Sequence, residues 1–224
     1  MSGRILAVDT TAEFGSIALG GEEVLLHAPD GFGRVIFEHI ERLMQRTGLR
    51  VEDLDGFAAA SGPGSFTGVR IGLACVKGLA EATGKPAFGI SNLAVLARLG
   101  SAGLGSTGLR VPLIDARRGE VYAAVYDACG NVIVPETVCR FPALLAQLPE
   151  AQVEFISQNF GPFEAAVAGT RFAECPVMTA PRALAAVVAR IAEERLAADD
   201  TGDPAGLDAN YVRRSDAELL FKPW

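Results

Sequence analysis

Histidine is scarce in this chain, and its few cysteines are not paired in sequence. The 224 residues include two histidines, His27 and His39. The four cysteines are far apart, without a Cys-x-x-Cys pair, at Cys75, Cys129, Cys139 and Cys175. Two histidines are too few for a multi-histidine metal centre, and this cysteine spacing predicts reduced thiols rather than a disulfide framework or a zinc site. We therefore expect no bound metal.

Long apolar runs and an excess of positive charge are also missing. The apolar runs are too short to span a membrane. The chain enters an apolar strand, Ile5 to Val8, without the pattern of a secretory signal. Its net charge is -7 and its pI about 4.9, which disfavours strong binding to nucleic acid by this chain alone. The sequence predicts a cytoplasmic protein.

Strand and helix patterns alternate along the chain, which indicates an α/β fold. Three short strands form a predicted antiparallel meander over residues 4–27, and a strand covers Leu54–Ala60. The predicted helices cover Phe32–Thr47, a segment capped by Ser65 or Thr67 that runs to Gly84, a segment capped by Ser91 or Asn92 that runs through Leu99, Pro142–Gln147 and Pro181–Leu196. After the linker Ser101–Gly108, a second strand-Asp-turn-strand unit begins at Arg110–Asp115, which indicates a weak internal duplication.

Three glycines spaced by four residues, Gly64, Gly68 and Gly72, are predicted to lie on one helix face. Because glycine inside a helix costs about 1 kcal/mol relative to alanine, something is expected to approach closely there. The candidates are another helix, a backbone segment and a ligand. The same helix and the one before it also carry apolar residues off their main stripes, such as Phe66 and Phe37, which favours a protein interface.

Two glycine patterns were weighed as nucleotide sites. Gly103-Leu-Gly105-Ser-Thr-Gly108 matches a dinucleotide pattern, but a helix precedes it and a strand follows, so we interpret it as a linker. Gly62–Gly72 lacks the Gly-Lys-Ser/Thr end of a phosphate loop, although its predicted helix N-terminus could still bind an anion. Asp9, at a strand end, could hold a metal-bound phosphate or simply begin a turn.

The block Ser61-Gly-Pro-Gly-Ser-Phe-Thr-Gly-Val-Arg-Ile-Gly72 resembles the TsaB family, also called YeaZ. The resemblance extends over almost the whole chain and includes Ile5-Leu-Ala-Val-Asp-Thr-Thr11, Ile114-Asp-Ala-Arg-Arg-Gly-Glu-Val-Tyr122 and Tyr211-Val-Arg213. It implies the actin-like ATPase (ASKHA, ribonuclease H-like) fold with two related subdomains. These would be residues 1–100, joined by the returning segment 205–224, and residues 109–204.

The same resemblance implies a function in making threonylcarbamoyladenosine at position 37 of tRNA. TsaB proteins are held to be non-catalytic partners of the transferase TsaD, with the ATPase TsaE as third partner. The implied role is therefore a dimerisation and activating subunit that reaches tRNA only through the complex and can form a homodimer when alone. An older glycoprotease (M22) label attaches to this fold and has no support in these residues.

Departures from the catalytic relatives are expected to remove activity. TsaD-like chains carry two metal-binding histidines where this chain has Asn92 and Leu96, and leucine cannot ligate a metal. Asp9-Thr-Thr11 lacks the glycine of an actin-like phosphate turn, and Gln158-Asn-Phe-Gly161 lacks the paired glycines that contact adenosine. Phe32-Gly33 stands where many relatives have His-Ser or His-Thr.

From the resemblance we expect a partner interface on the first two helices and only a vestigial nucleotide site. The vestigial candidates are Asp9, Thr10 and Asp115, with ATP or ADP bound only at the interface of the complex. The alternatives are a stand-alone transferase or phosphotransferase of the same fold, and a self-associating scaffold. The predicted interface residues are Phe32, Ile36, Phe37, Ile40, Met44, Ser65, Phe66, Gly68, Val69, Gly72 and Val76.

Overall fold

Two five-stranded sheets organise the chain, each with the same strand order. The computed structural model describes residues 4–101 and 107–213. The first sheet has the order β3-β2-β1-β4-β5 and the second β10-β9-β6-β7-β8. In both, a three-strand antiparallel meander is followed by two strands parallel to its first strand. This shared order confirms the predicted duplication.

The bounds of the elements follow the chain. The strands are β1 Ile5–Asp9, β2 Phe14–Leu19, β3 Glu22–His27, β4 Gly56–Gly62, β5 Ala87–Ser91, β6 Leu109–Arg117, β7 Glu120–Asp127, β8 Val132–Arg140, β9 Val153–Ser157 and β10 Val177–Thr179. The α-helices are α1 Ile36–Thr47, α2 Phe66–Thr83, α3 Asn92–Leu99, α4 Phe141–Gln147, α5 Glu164–Val167 and α6 Ala185–Ala197. Short 3-10 turns cover Phe32–Arg34, Val51–Asp53 and Gly161–Phe163.

The chain divides into two compact units, and the division differs from the predicted subdomains. Within the described residues, 4–95 and 181–210 form the first unit, while 96–180 and 211–213 belong to the second. Residues 181–204 had been predicted in the second. Residues 211–213 had been predicted to return to the first unit and instead belong to the second. There, Arg213 donates hydrogen bonds to the Ala116 carbonyl oxygen and to the Glu120 carboxylate. Of the predicted returning segment, 205–210 join the first unit and 214–224 are outside the described residues.

Helices cover both faces of the first sheet. The buried side chains of α1 and α2 pack in one cluster with Leu6, Val8 and Phe57. The alternate strand residues are also fully buried, as at Ala7 and Ala58, and α6 contacts β1, β2 and β4. None of the helices in the described residues is both long and apolar enough to cross a membrane.

Helix α6 begins without a capping side chain of its own. Instead, Ser16 Oγ on β2 accepts hydrogen bonds from the backbone N–H groups of Leu184 and Ala185 at 3.0 and 2.8 Å. Glu23 Oε1 on β3 accepts from the N–H of Ala186 at 3.0 Å and from the Ser16 hydroxyl. The free donors at a helix start are therefore satisfied by the neighbouring hairpin.

The segment after α6 covers the outer edge of β5. Ala87 donates its N–H to the Gly202 carbonyl oxygen at 2.9 Å, and Arg195 Nη1 donates to the Gly89 carbonyl oxygen at 3.2 Å. Asn210 closes the segment by donating its N–H to the Ser61 carbonyl oxygen. The edge of β5 is thus occupied by the chain itself.

Candidate functional site

The sequence directs attention to two regions of the first unit: the outward faces of α1 and α2, and the ends of the parallel strands β1, β4 and β5. We call the exposed faces of the two helices the α1–α2 outer surface. Both helices lie on the same face of the sheet, because their buried side chains belong to one cluster. Their exposed faces therefore both point away from the sheet.

Two phenylalanines dominate the α1–α2 outer surface. Phe37 is 58% exposed on α1, and Phe66 is 52% exposed at the first turn of α2. The guanidinium of Arg70 lies 3.7 Å from the centre of the Phe66 ring, a cation–π contact that holds the ring against its own helix. Ala74 and Gly78 continue the exposed side of α2 at spacings of four residues.

Eight of the eleven predicted interface residues are buried within this unit. Three are exposed: Phe37, Ser65 and Phe66. The buried ones are Phe32, Ile36, Ile40, Met44, Gly68, Val69, Gly72 and Val76. They form or line the core beneath the helices, so only the opposite faces of α1 and α2 are accessible from outside this unit. The sequence pattern had placed Phe37 and Phe66 off the main stripes, but the predicted interface also included the stripes that the structure buries.

The glycine stripe meets the chain's own backbone, not a partner helix. Gly64 precedes α2, and a Cβ there would lie 2.6 Å from the Thr11 carbonyl oxygen. A Cβ at Gly68 would be 1.9 Å from the Thr10 carbonyl oxygen, and one at Gly72 would be 2.8 Å from Thr10 Oγ1. Of the three candidates for the close approach, a backbone segment is correct at Gly64 and Gly68, while at Gly72 the neighbour is the Thr10 side chain. Gly78, which has open space at its Cβ position, is the glycine that faces outward.

Polar side chains are buried where β1, β4 and β5 end. Asp9 Oδ1 accepts hydrogen bonds from the N–H and the hydroxyl of Thr11 at 2.9 and 2.6 Å. Asn92 Nδ2 donates to Thr11 Oγ1 at 2.6 Å, and Asn92 Oδ1 accepts from the N–H of Gly62 at 2.9 Å. The carboxyl ends of parallel strands often form a ligand crevice. Here, the loops are joined to one another instead.

Asp9 is poorly suited to hold a metal-bound phosphate. Its side chain is 2% exposed, and burial raises its pKa, while the two hydrogen bonds from Thr11 act in the opposite direction. Thr10 is also buried, and its hydroxyl donates to the Gly68 carbonyl oxygen at 2.7 Å. Asp115 lies in the second unit, where it accepts from the N–H of Arg117 at the end of β6. The structure thus gives all three vestigial candidates local structural partners.

A cavity of about 820 Å³ lies in the second unit at the ends of β9 and β10. The loop Gln158–Gly161 forms one wall, and Phe172 lines it from the turn before β10. The single glycine of this loop, Gly161, donates its N–H to Asn159 Oδ1 at 3.1 Å. An adenosine contact made by paired glycines does not fit this loop. Among residues 4–101 and 107–213, no group of three or more potential metal ligands occurs; the expected absence of a metal stays a prediction.

Comparison with known proteins identifies the family. The family model for TsaD, tRNA N6-adenosine threonylcarbamoyltransferase, matches residues 28–198, which is more than half of the chain. The chain belongs to the TsaD family. Part of the chain is also similar to curated proteins named TsaB. The tRNA threonylcarbamoyladenosine biosynthesis protein TsaB of Escherichia coli (strain K12) is 37% identical over 134 residues, which cover 58% of each chain.

Two further relatives agree. TsaB of Haemophilus influenzae (strain ATCC 51907 / DSM 11121 / KW20 / Rd) is 37% identical over 122 residues, covering 53% of this chain and 51% of that protein. This chain spans about half the length of the curated relatives it matches. The solved structure of YeaZ from Pseudomonas aeruginosa has a TM-score of 0.75 at 23% identity, covering 94% of this chain and 100% of that chain. This similarity confirms the predicted actin-like α/β fold.

Proposed function

We propose that the chain is a non-catalytic dimerisation and activating subunit of the complex that forms threonylcarbamoyladenosine at position 37 of tRNA. Membership of the TsaD family and similarity to proteins named for threonylcarbamoyladenosine biosynthesis support this role. The partner is a TsaD protein of the same organism, TsaE is the third component, and tRNA is reached only through the complex. The site of action is the cytoplasm. When alone, the chain can pair with a second copy.

One observation carries the choice of surface: Phe37 and Phe66 are both more than half exposed on adjacent helices. Aromatic side chains in the centre of an interface often supply much of its binding energy. The open space at Gly78 allows a partner helix to approach α2 closely. A TsaD protein is a suitable occupant because it is built on the same fold and can offer an equivalent pair of helices.

The residues present argue against independent catalysis. Asn92 and Leu96 stand where the resemblance places metal-binding histidines, and Asn92 already uses both polar atoms of its side chain within the fold. Asp9 is buried and bound by Thr11. A nucleotide is accordingly expected only at the interface of the complex, where TsaD supplies the missing groups.

The decisive experiment measures association with TsaD by size-exclusion chromatography with light scattering, followed by titration calorimetry. We expect a stoichiometric complex, weakened about tenfold or more by Phe66→Ala or Phe37→Ala without a change in melting temperature. Leu25→Ala is the matched control, because Leu25 is an apolar residue on β3 that is 47% exposed. Equal binding by all three variants would remove this surface from the interface.

The enzyme alternative has its own test. A stand-alone transferase or phosphotransferase would hydrolyse ATP or transfer threonylcarbamoyl as a purified chain. We expect neither reaction. Metal-dependent turnover that Asp9→Asn abolishes would replace the accessory role with a catalytic one.

A further inference from the structure

The α1–α2 outer surface is connected to the buried polar cluster by a very short segment. Only Pro63, Gly64 and Ser65 separate the last residue of β4, Gly62, from Phe66. Gly62 donates its backbone N–H to Asn92 Oδ1, so the start of this segment is fixed from inside the unit. The exposed aromatic ring thus lies four residues from a buried anchor.

The other end of the segment, at Ser65, is anchored to the turn between β1 and β2. Ser65 donates its N–H to the Thr11 carbonyl oxygen at 2.7 Å, and its hydroxyl accepts from the N–H of Gly68 at 3.3 Å. Thr10 Oγ1 donates to the Gly68 carbonyl oxygen at 2.7 Å. The first turn of α2 is therefore placed by hydrogen bonds to the turn between β1 and β2.

Asn92 is the side chain that joins the two anchors. It donates to the Thr11 hydroxyl and accepts from Gly62, and it is 4% exposed. A side-chain amide has both a donor and an acceptor, which this bridge requires. Asp9 completes the chain of contacts by accepting from the hydroxyl and the N–H of Thr11.

We propose that Asn92 is a positioning residue for partner binding, acting through the β1–β2 turn and the segment 62–65 to set the direction in which Phe66 is presented. In this chain the amide holds together the strand ends that a bound ligand occupies in many α/β proteins. The inference rests on the proposed function for the identity of the partner. Its structural part, that Asn92 fixes the start of α2, is independent of the partner.

The structural part is tested first, on the full chain alone. Asn92→Ala should raise the hydrogen-exchange rate of the Ser65 and Gly68 amides about tenfold or more, because the turn that holds them loses its bridge. The amides of α1 should be unchanged. Leu54→Ala is the control, since Leu54 is buried just before the opposite end of β4 and its loss lowers stability without touching the bridge. Unchanged Ser65 and Gly68 amides in Asn92→Ala would overturn the proposal.

The functional part is a double-mutant cycle on binding to TsaD. Asn92→Ala should weaken binding about tenfold, Leu54→Ala should not, and Asn92→Ala should add little to Phe66→Ala. Additive effects of the two substitutions would overturn action through Phe66. If the wild-type chain forms no complex with TsaD, the proposed function and the partner role of Asn92 both fail, while the exchange result still decides whether Asn92 fixes the start of α2.

Discussion

Replacing Ser16 by alanine should destabilise the first unit out of proportion to the one atom removed. Ser16 is fully buried, and its oxygen accepts hydrogen bonds from the N–H groups of Leu184 and Ala185 at the start of α6. Loss of a capping oxygen costs about 0.5–2 kcal/mol. A buried donor left without a partner costs roughly 1–3 kcal/mol. With Glu23 still bound to Ala186, we expect a total loss of about 2–3 kcal/mol.

The assay is thermal unfolding followed by circular dichroism. For a protein of this size, a loss of about 2–3 kcal/mol corresponds to a fall in melting temperature of roughly 4–12 °C. Ser65→Ala is the control, because Ser65 is an exposed cap that accepts a single bond at 3.3 Å. It should cost about 0.5–1 kcal/mol. If Ser16→Ala were no more destabilising than Ser65→Ala, the argument that β2 caps α6 would be refuted.

Two further predictions concern the same unit. Gly68→Ala should lower the free energy of unfolding by about 3 kcal/mol or more, because its Cβ would overlap the Thr10 carbonyl oxygen. Gly78→Ala in the same helix should raise it by about 1 kcal/mol, because the Cβ position there is open. Equal effects of the two substitutions in urea unfolding would contradict the packing described. Burial raises the pKa of the Asp9 carboxyl in the folded chain above its value in the unfolded chain. Its contribution to stability is therefore fully present below the unfolded pKa and is lost as the pH rises through the folded pKa. The melting temperature of wild type relative to Asp9→Asn should therefore fall as the pH rises above about 4, the ordinary pKa of an Asp carboxyl, and a constant difference would contradict it.

The elements with strong local signals were predictable from sequence. For α2, the predicted end at Gly84 matches the structure, in which Gly84 adopts a left-handed backbone, and of the two predicted caps, Ser65 and Thr67, Ser65 caps the helix. The start of α6 was predicted four residues early, at Pro181, because the residues that cap it are on β2 and β3 and give no local signal. The strands β8, β9 and β10 were not predicted. In β8, Pro135 interrupts the pattern, and such a proline is tolerated because the strand lies at a sheet edge.

The site was predictable in kind but not in detail. The close approach at Gly68 was predicted from the cost of glycine in a helix, but only the fold shows that the Thr10 backbone fills the space. Likewise, the apolar stripe separates Phe37 from Ile36, but only the packing of α1 on the sheet shows that Ile36 is core and Phe37 is surface. Asn92 bridges Gly62 and Thr11, which precede it by 30 and 81 residues, and no spacing pattern in the sequence indicates such contacts.

The interrupted first unit has a consequence for synthesis on the ribosome. Arg195, which closes the edge of β5, follows its partner Gly89 by 106 residues, and Leu184 follows Ser16 by 168. At a synthesis rate of roughly 5–20 residues per second, about 5–20 s pass between the synthesis of β5 and that of the residues that cover its edge. During that time a nascent chain exposes the apolar sheet face that α6 later buries, together with an unpaired edge. Chaperone dependence and stalled-chain aggregation should therefore be greatest before residue 185 emerges and fall sharply once α6 is complete.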